Sequence, residues 1–117
     1  MGVATELDSD RWDAWEPAEA ARRLAGVKAP WYVAAGWAVD LFLGGKRREH
    51  EDLEIAIPAA SLPELVDALA GFEIYAVRVP GRGIFTPLAE AGPGLAETHQ
   101  TWVRDPESGD WRLDLFR

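Results

Sequence analysis

The sequence contains no cysteine. That absence removes disulfide bridges, thiolate metal sites and cysteine nucleophiles together, and nothing in the chain calls for an oxidising compartment. Long apolar runs are missing as well. No stretch approaches the roughly 20 residues needed to cross a bilayer, and the acidic opening from Met1 to Asp10 lacks the apolar segment of a secretion signal. A soluble, cytoplasmic protein with no membrane partner is expected. Positive charge is scarce: 12 Lys and Arg stand against 20 Asp and Glu, a formal net charge of −8. Such a surface repels phosphate backbones, which argues against nucleic acid as a partner. With 117 residues, 48% of them hydrophobic, the chain suffices for one domain over residues 1–117 and is too short for a two-domain enzyme. No internal repeat or low-complexity tract is present.

What is there reads as alternating helices and strands. Trp12 and Trp15 have the spacing of one helical face and read as core anchors, ahead of a short helix over 17–25 that Pro17 opens and Gly26 stops. Trp31 to Ala34 reads as a buried strand broken by Gly36, followed by a helix in which Trp37, Ala38, Leu41 and Phe42 recur at helical spacing until Gly44-Gly45. After a charged loop over 46–50, Leu53, Ile55 and Ile57 alternate with Asp52, Glu54 and Ala56, a second strand that Pro58 stops. Ser61 and Glu64 form a capping-box signal for a third helix, with Leu62, Leu65, Val66 and Leu69 as its apolar face. A strand over 72–79, a turn over 80–83, a short extended piece over 84–85 and a Pro/Gly-rich loop follow. A terminal hairpin pairs 95–103 with 111–116 across the polar turn 105–110.

Chemistry concentrates at two places. Asp52 and Glu54, at i and i+2, project from one strand face, and the same alternation puts Asp114 opposite Trp111, Leu113 and Leu115. Converging carboxylates repel one another unless a hard cation such as Mg²⁺ neutralises them; a wet, solvent-facing strand is the plainer account of the same pair. The second place is Ala35-Gly36, between strand and helix, where backbone N–H groups favour a phosphate or where glycine simply frees a turn.

The order of these parts carries more than any one of them. Residues 31–57, WYVAAGWAVDLFLGGKRREHEDLEIAI, resemble the core of the aminoglycoside nucleotidyltransferase (adenylyltransferase) family, whose members carry Gly-Gly-Trp-Ala, a short helix, Arg-x-His-x-Asp-x-Asp and a later Leu-Asp. The resemblance extends more thinly from Pro17 onward. It implies an α+β fold, a mixed sheet with helices packed on one face. It also implies transfer of a nucleoside monophosphate from a Mg²⁺-bound nucleoside triphosphate, ATP by the family's habit, to a hydroxyl of a small cationic acceptor such as an aminoglycoside. By position, Ala35, Gly36 and Arg48 would meet the triphosphate; Asp52, Glu54 and Asp114 would hold metal and catalyse, with Asp114 as general base. Arg48 reads equally as a partner for neighbouring acids. His50 falls at the family's His and reads as a loop-positioning hydrogen bond, and Asp40 matches a family acid that can hold the preceding turn.

Three features depart from the family pattern: Ala35 replaces the first glycine, Glu54 replaces the second Asp, and the family's C-terminal helical part does not follow Asp114. The rival reading is a catalytically silent interaction module or antitoxin-like partner subunit on the same fold. A half-domain completed by a second copy, a homodimer, is a third.

Overall fold

The computed structural model describes residues 5–78 and 84–117, so the expected turn over 80–83 and the end of the strand at Val79 lie outside the described residues. Seven strands make one mixed sheet: β1 (Thr5–Glu6), β2 (Tyr32–Ala34), β3 (Glu54–Ala56), β4 (Glu73–Arg78), β5 (Ile84–Pro87), β6 (Gln100–Arg104) and β7 (Trp111–Phe116), in the order β1-β5-β4-β6-β7-β3-β2. β3 and β7 pair in parallel, and every other named pairing among the described strands is antiparallel. The helices are α1 (Pro17–Arg23), α2 (Ala35–Phe42), α3 (Leu62–Ala68) and the single-turn α4 (Leu88–Ala91). None of the described helices is long and apolar enough to cross a membrane.

The helices lie on one face, as an α+β sheet of this kind requires. Ala20 of α1, Trp37 of α2 and Leu62 and Leu65 of α3 share a core with Ile55 of β3 and Leu113 and Leu115 of β7. α1 begins with Pro17 in its first turn, where a missing N–H costs nothing, and Glu19 pairs with Arg22 and Arg23 along its outer side. The capping box does not form. A 3₁₀ turn, Ala59–Ser61, runs straight into α3, so Ser61 already has helical dihedrals and its side chain makes no cap. Glu64 instead accepts hydrogen bonds from the amides of Lys28 (2.5 Å) and Ala29 (3.3 Å), tying α3 to the segment that enters β2. On α2 the apolar repeat is only partly buried: Trp37 and Asp40 face inward, while Leu41 and Phe42 are exposed, Phe42 by 89%.

The opposite face carries a second cluster, Val77, Phe85, Trp102 and Trp111, with Trp12 and Tyr75 against it. Trp111 belongs there because of a bulge. Arg104 pairs with Trp111 but Val103 pairs with Leu113, so Arg112 is an extra residue on β7 and alternation breaks between Trp111 and Leu113. The expectation that Trp111, Leu113 and Leu115 share a face is corrected accordingly. Trp12 and Trp15 also part company. Residues 12–15 are extended, not helical, alongside the start of β7 (Asp13 N–H to Trp111 O, 3.1 Å; Trp15 N–H to Arg112 O, 3.0 Å), and an i, i+3 pair in extended chain points to opposite sides. Trp12 joins the second cluster and Trp15 the helix-side core. The hairpin is shorter than the sequence suggests, because Gly92–Glu97 wind into a 3₁₀ segment after α4 and β6 starts only at Gln100. Its turn is closed by Asp105 N–H to Asp110 O (2.9 Å) and Gly109 N–H to Asp105 O (2.8 Å).

Candidate active site

The parallel pairing of β3 with β7 sets Glu54 directly beside Asp114, and the ladder continues across the sheet to Ala34 on one side and Trp102 on the other. All four side chains therefore project from the face away from the helices. Glu54 is half-buried. Its burial and the charge of Asp52 hold its carboxyl above the usual range, while a proton shared with Asp114 works the other way. Asp114 is only 3% exposed, and burial, then Glu54, then Asp52, push it up to about 8. The expectation of an open, solvated face at Asp114 is thus corrected: the register is right, but the tryptophan cluster covers that side. Oδ1 of Asp114 is buried without a hydrogen-bond partner. Asp52 precedes β3 rather than lying in it and is exposed, near enough to raise both of the others. Among the described residues no three His, Cys, Asp or Glu side chains stand as a ready-made metal cluster. The donor chemistry still suits a hard divalent cation: oxygen ligands only, like charges that in the absence of a cation are relieved by a retained proton, and one orphaned carboxylate oxygen.

At the other end of the row, β2 turns into α2 through Ala35, whose φ of +55° is the left-handed conformation that glycine adopts freely. The residue that departs from the family pattern is therefore the one under backbone strain. Gly36 is needed for another reason. A methyl group there would lie 2.6 Å from Nη2 of Arg48 and 3.1 Å from Nδ1 of His50, so the turn packs tightly against both side chains. His50 is held by Asp40 (Nε2 to Oδ2, 2.7 Å) and stacks on Trp37 at 4.5 Å. The same Asp40 oxygen accepts the amide of Arg47 (2.8 Å), and this amide, followed by the His50 hydrogen bond, keeps the Asp40 carboxyl low. Both residues thus position the loop; for His50 this is what its place in the sequence suggested, whereas Asp40 holds the loop that follows α2 rather than the turn that precedes it. Arg48 has no carboxylate at ion-pair distance among the described residues; its Nη1 donates to the Glu49 carbonyl (3.1 Å). An unpaired guanidinium beside a strand-to-helix turn suits an anion.

Ala35→Gly is expected to stabilise the protein by about 1 kcal/mol, since it relieves the left-handed strain of an L-residue. It is also expected to tighten Mg²⁺-triphosphate binding, measured by urea denaturation and calorimetry respectively. A folded variant with unchanged nucleotide affinity would return the turn to a purely structural role.

Beside Asp52 opens a cleft of about 750 Å³ walled by Trp12, Trp15 and Trp37. Its acids are Asp10, Asp13, Glu16, Glu49, Glu51 and Asp52, with Lys46 bridging Glu16 (2.8 Å) and Glu49 (3.0 Å). Three features of the site escape a reading of the sequence: the burial of Asp114, the Trp102 indole beside it, whose N–H works against the upward push on the Asp114 carboxyl, and the contribution of residues 9–16 to the cleft. The acidic composition of residues 6–16 was the available signal for the last of these.

A mixed sheet with a carboxylate pair on adjacent strands, entered through a strained turn that faces a free arginine, defines a nucleotidyltransferase-like domain. The family model for aminoglycoside-2''-adenylyltransferase matches residues 18–82, and the chain belongs to that family. A 2''-aminoglycoside nucleotidyltransferase of Klebsiella pneumoniae is 32% identical over 76 residues, which is 65% of this chain and 41% of the relative. One of Escherichia coli is 30% identical over 79 residues, with the same coverage. The chain thus spans about two fifths of the length of these curated relatives. No solved structure matches it significantly. The family match ends before β6 and β7, so Asp114 takes its place in the site from topology alone.

Proposed function

We propose that this domain transfers a nucleoside monophosphate from a Mg²⁺-bound nucleoside triphosphate, ATP in the first instance, to a hydroxyl of a cationic aminoglycoside, with release of pyrophosphate. The observation that carries the reading is the side-by-side placement of Glu54 and Asp114, one strand away from the Ala35 turn. Glu54, Asp114 and Asp52 would hold the Mg²⁺, which when bound offsets the charge of carboxylates and triphosphate and polarises the reacting phosphoryl group. Arg48 and the amides at the start of α2 would bind the triphosphate. Asp114, relieved of its proton by the added positive charge, would accept the proton of the acceptor hydroxyl. The acidic, tryptophan-walled cleft beside Asp52 gives the ammonium groups of an aminoglycoside a place to sit, and supports the acceptor class by charge complementarity.

The test is pyrophosphate release with several triphosphates against a panel of aminoglycosides and neutral sugars, alongside calorimetry of nucleotide binding. Turnover is expected with an aminoglycoside and not with a neutral sugar. Triphosphate affinity is expected to fall at least tenfold when Mg²⁺ is replaced by excess chelator, because bare carboxylates and phosphates repel. Equal affinity in both conditions, together with no pyrophosphate release, would leave the silent interaction module as the better account.

A further inference from the structure

The row of side chains that holds Glu54 and Asp114 has a neighbour on the same face. Tyr32 pairs with Ala56, Ala56 with Phe116 and Phe116 with Gln100, so these four form the next row along the sheet, two residues on from Ala34, Glu54, Asp114 and Trp102. The residues that alternate with them, Val33, Ile55 and Leu115, belong to the helix-side core. This second row is uncharged and poorly covered. Tyr32, on the edge strand β2, is 67% exposed, and its side chain makes no hydrogen bond, ion pair or ring contact among the described residues. Phe116 is 38% exposed and is backed from the β6 side by His99, stacked on it at 5.8 Å. Between the two aromatic residues stands Ala56, which offers only a methyl group.

Adjacent strands lie about 4.8 Å apart, so Tyr32 and Phe116, two strands apart, rise about 10 Å from one another with the alanine as a floor. A planar ring between two others needs about 3.5 Å on each side. The gap therefore takes one flat ring once its walls lean inward slightly, and Tyr32 at the edge of the sheet is free to do so. The surroundings of the acid pair decide which ring this is. Toward β6 the face is filled by the tryptophan cluster, and toward the start of β3 it opens into the acidic cleft, where a cation belongs. The Ala35 turn and Arg48 suit the outer phosphates. The open direction is the row of Tyr32 and Phe116, about 7 Å beyond Glu54 and Asp114 and so roughly a ribose away. We infer that Tyr32 and Phe116 sandwich the base of the nucleoside triphosphate over Ala56. This inference rests on the transferase reading above and adds to it that the base is held by its two faces rather than by its hydrogen-bonding edge. A saturated, cationic aminoglycoside ring has no such face to offer. Every base does, so the slot admits all of them and favours purines, whose stacking area is larger.

The experiment measures binding of Mg-ATP, Mg-UTP and Mg-tripolyphosphate to the full chain by calorimetry, the last probe carrying the phosphates without a base. Tyr32→Ala and Phe116→Leu are each expected to weaken Mg-ATP binding about tenfold, the usual loss for one stacking ring, and to leave Mg-tripolyphosphate affinity unchanged. Tyr32→Phe keeps the ring and is expected to bind Mg-ATP as the parent does. The parent is expected to prefer Mg-ATP to Mg-UTP, and Tyr32→Ala to narrow that preference. If Tyr32→Ala leaves Mg-ATP affinity unchanged, or weakens Mg-ATP and Mg-tripolyphosphate alike, the sandwich is overturned and the transferase reading stands. If the parent binds neither triphosphate nor tripolyphosphate, both readings fall. Tyr32 packs against no other ring and is largely exposed, so Tyr32→Ala keeps the fold and decides the matter even if Phe116→Leu does not fold.

Discussion

Asp114→Asn is expected to lower transferase activity by about a hundredfold or more, the loss typical of a missing general base, while making the metal-free protein more stable at alkaline pH. The two effects have one cause. Asp114 is buried beside Glu54, and its carboxyl is pushed up from 3.8 to about 8 in the folded chain. Between these values the folded state keeps a proton that the unfolded state has released, so its stability is full below about pH 4 and is lost as pH rises toward 8, by up to roughly 1.4 kcal/mol per pH unit. Asn carries no charge and has no such slope. The difference in unfolding free energy between variant and parent should therefore widen in favour of the variant from pH 5 to pH 8, by chemical denaturation in the presence of chelator. Mg²⁺ should flatten the slope of the parent and leave the variant nearly unaffected. A variant that loses stability at every pH, or turns over like the parent, would contradict the placement of Asp114 beside a metal.

The largest loss of stability is expected from Trp111→Ala. Its ring is 1% exposed, lies 4.6 Å from Phe85 and 5.2 Å from Trp102, and anchors the Asp8 carbonyl through its N–H. Deleting so large a buried side chain costs about 3–5 kcal/mol, a melting temperature about 10–20 °C lower for a domain of this size. The bulge makes a sharper forecast. A double-mutant cycle should couple Trp111 to Phe85 by about 0.5 kcal/mol or more and leave it additive with Leu53, which lies in the helix-side core. Coupling to Leu53 instead would mean that β7 alternates without interruption.

Much of this arrangement is legible in the sequence, for reasons that are local. The alternation of Leu53, Ile55 and Ile57 places Glu54 outward whatever surrounds it, and the match of Leu113 and Leu115 places Asp114 on the other side. The glycine-bounded run of 31–45 likewise announces strand, turn and helix, although it does not say that Ala35 rather than Gly36 takes the left-handed dihedral. What fails is what depends on distant chain. No periodicity reveals that Arg112 is bulged out and Trp111 turned over, since that is settled by pairing with β6. Glu64 makes a plausible cap three residues after Ser61 until a strand entry 35 residues away offers two free amides. The burial of Asp114 follows from tryptophans that come from residues 12, 102 and 111, and the exposure of Leu41 and Phe42 from the lack of anything packed against that side of α2 among the described residues.

The position of β7 also constrains how such a protein is made. It follows every other described strand in chain order, yet it lies in the interior of the sheet, between β6 and β3. A nascent chain leaving the ribosome can form the β4–β5 and β4–β6 pairs early, but β2 and β3 have no partner linking them to the rest until Phe116 has emerged. Two sheet fragments with open edges must therefore wait for a wedge, and during that wait they are the species a chaperone would meet or an aggregate would recruit. The same insertion brings Glu54 against Asp114, so the acidic pair comes into being only once β7 is seated and its repulsion does not burden the fragments that form before it.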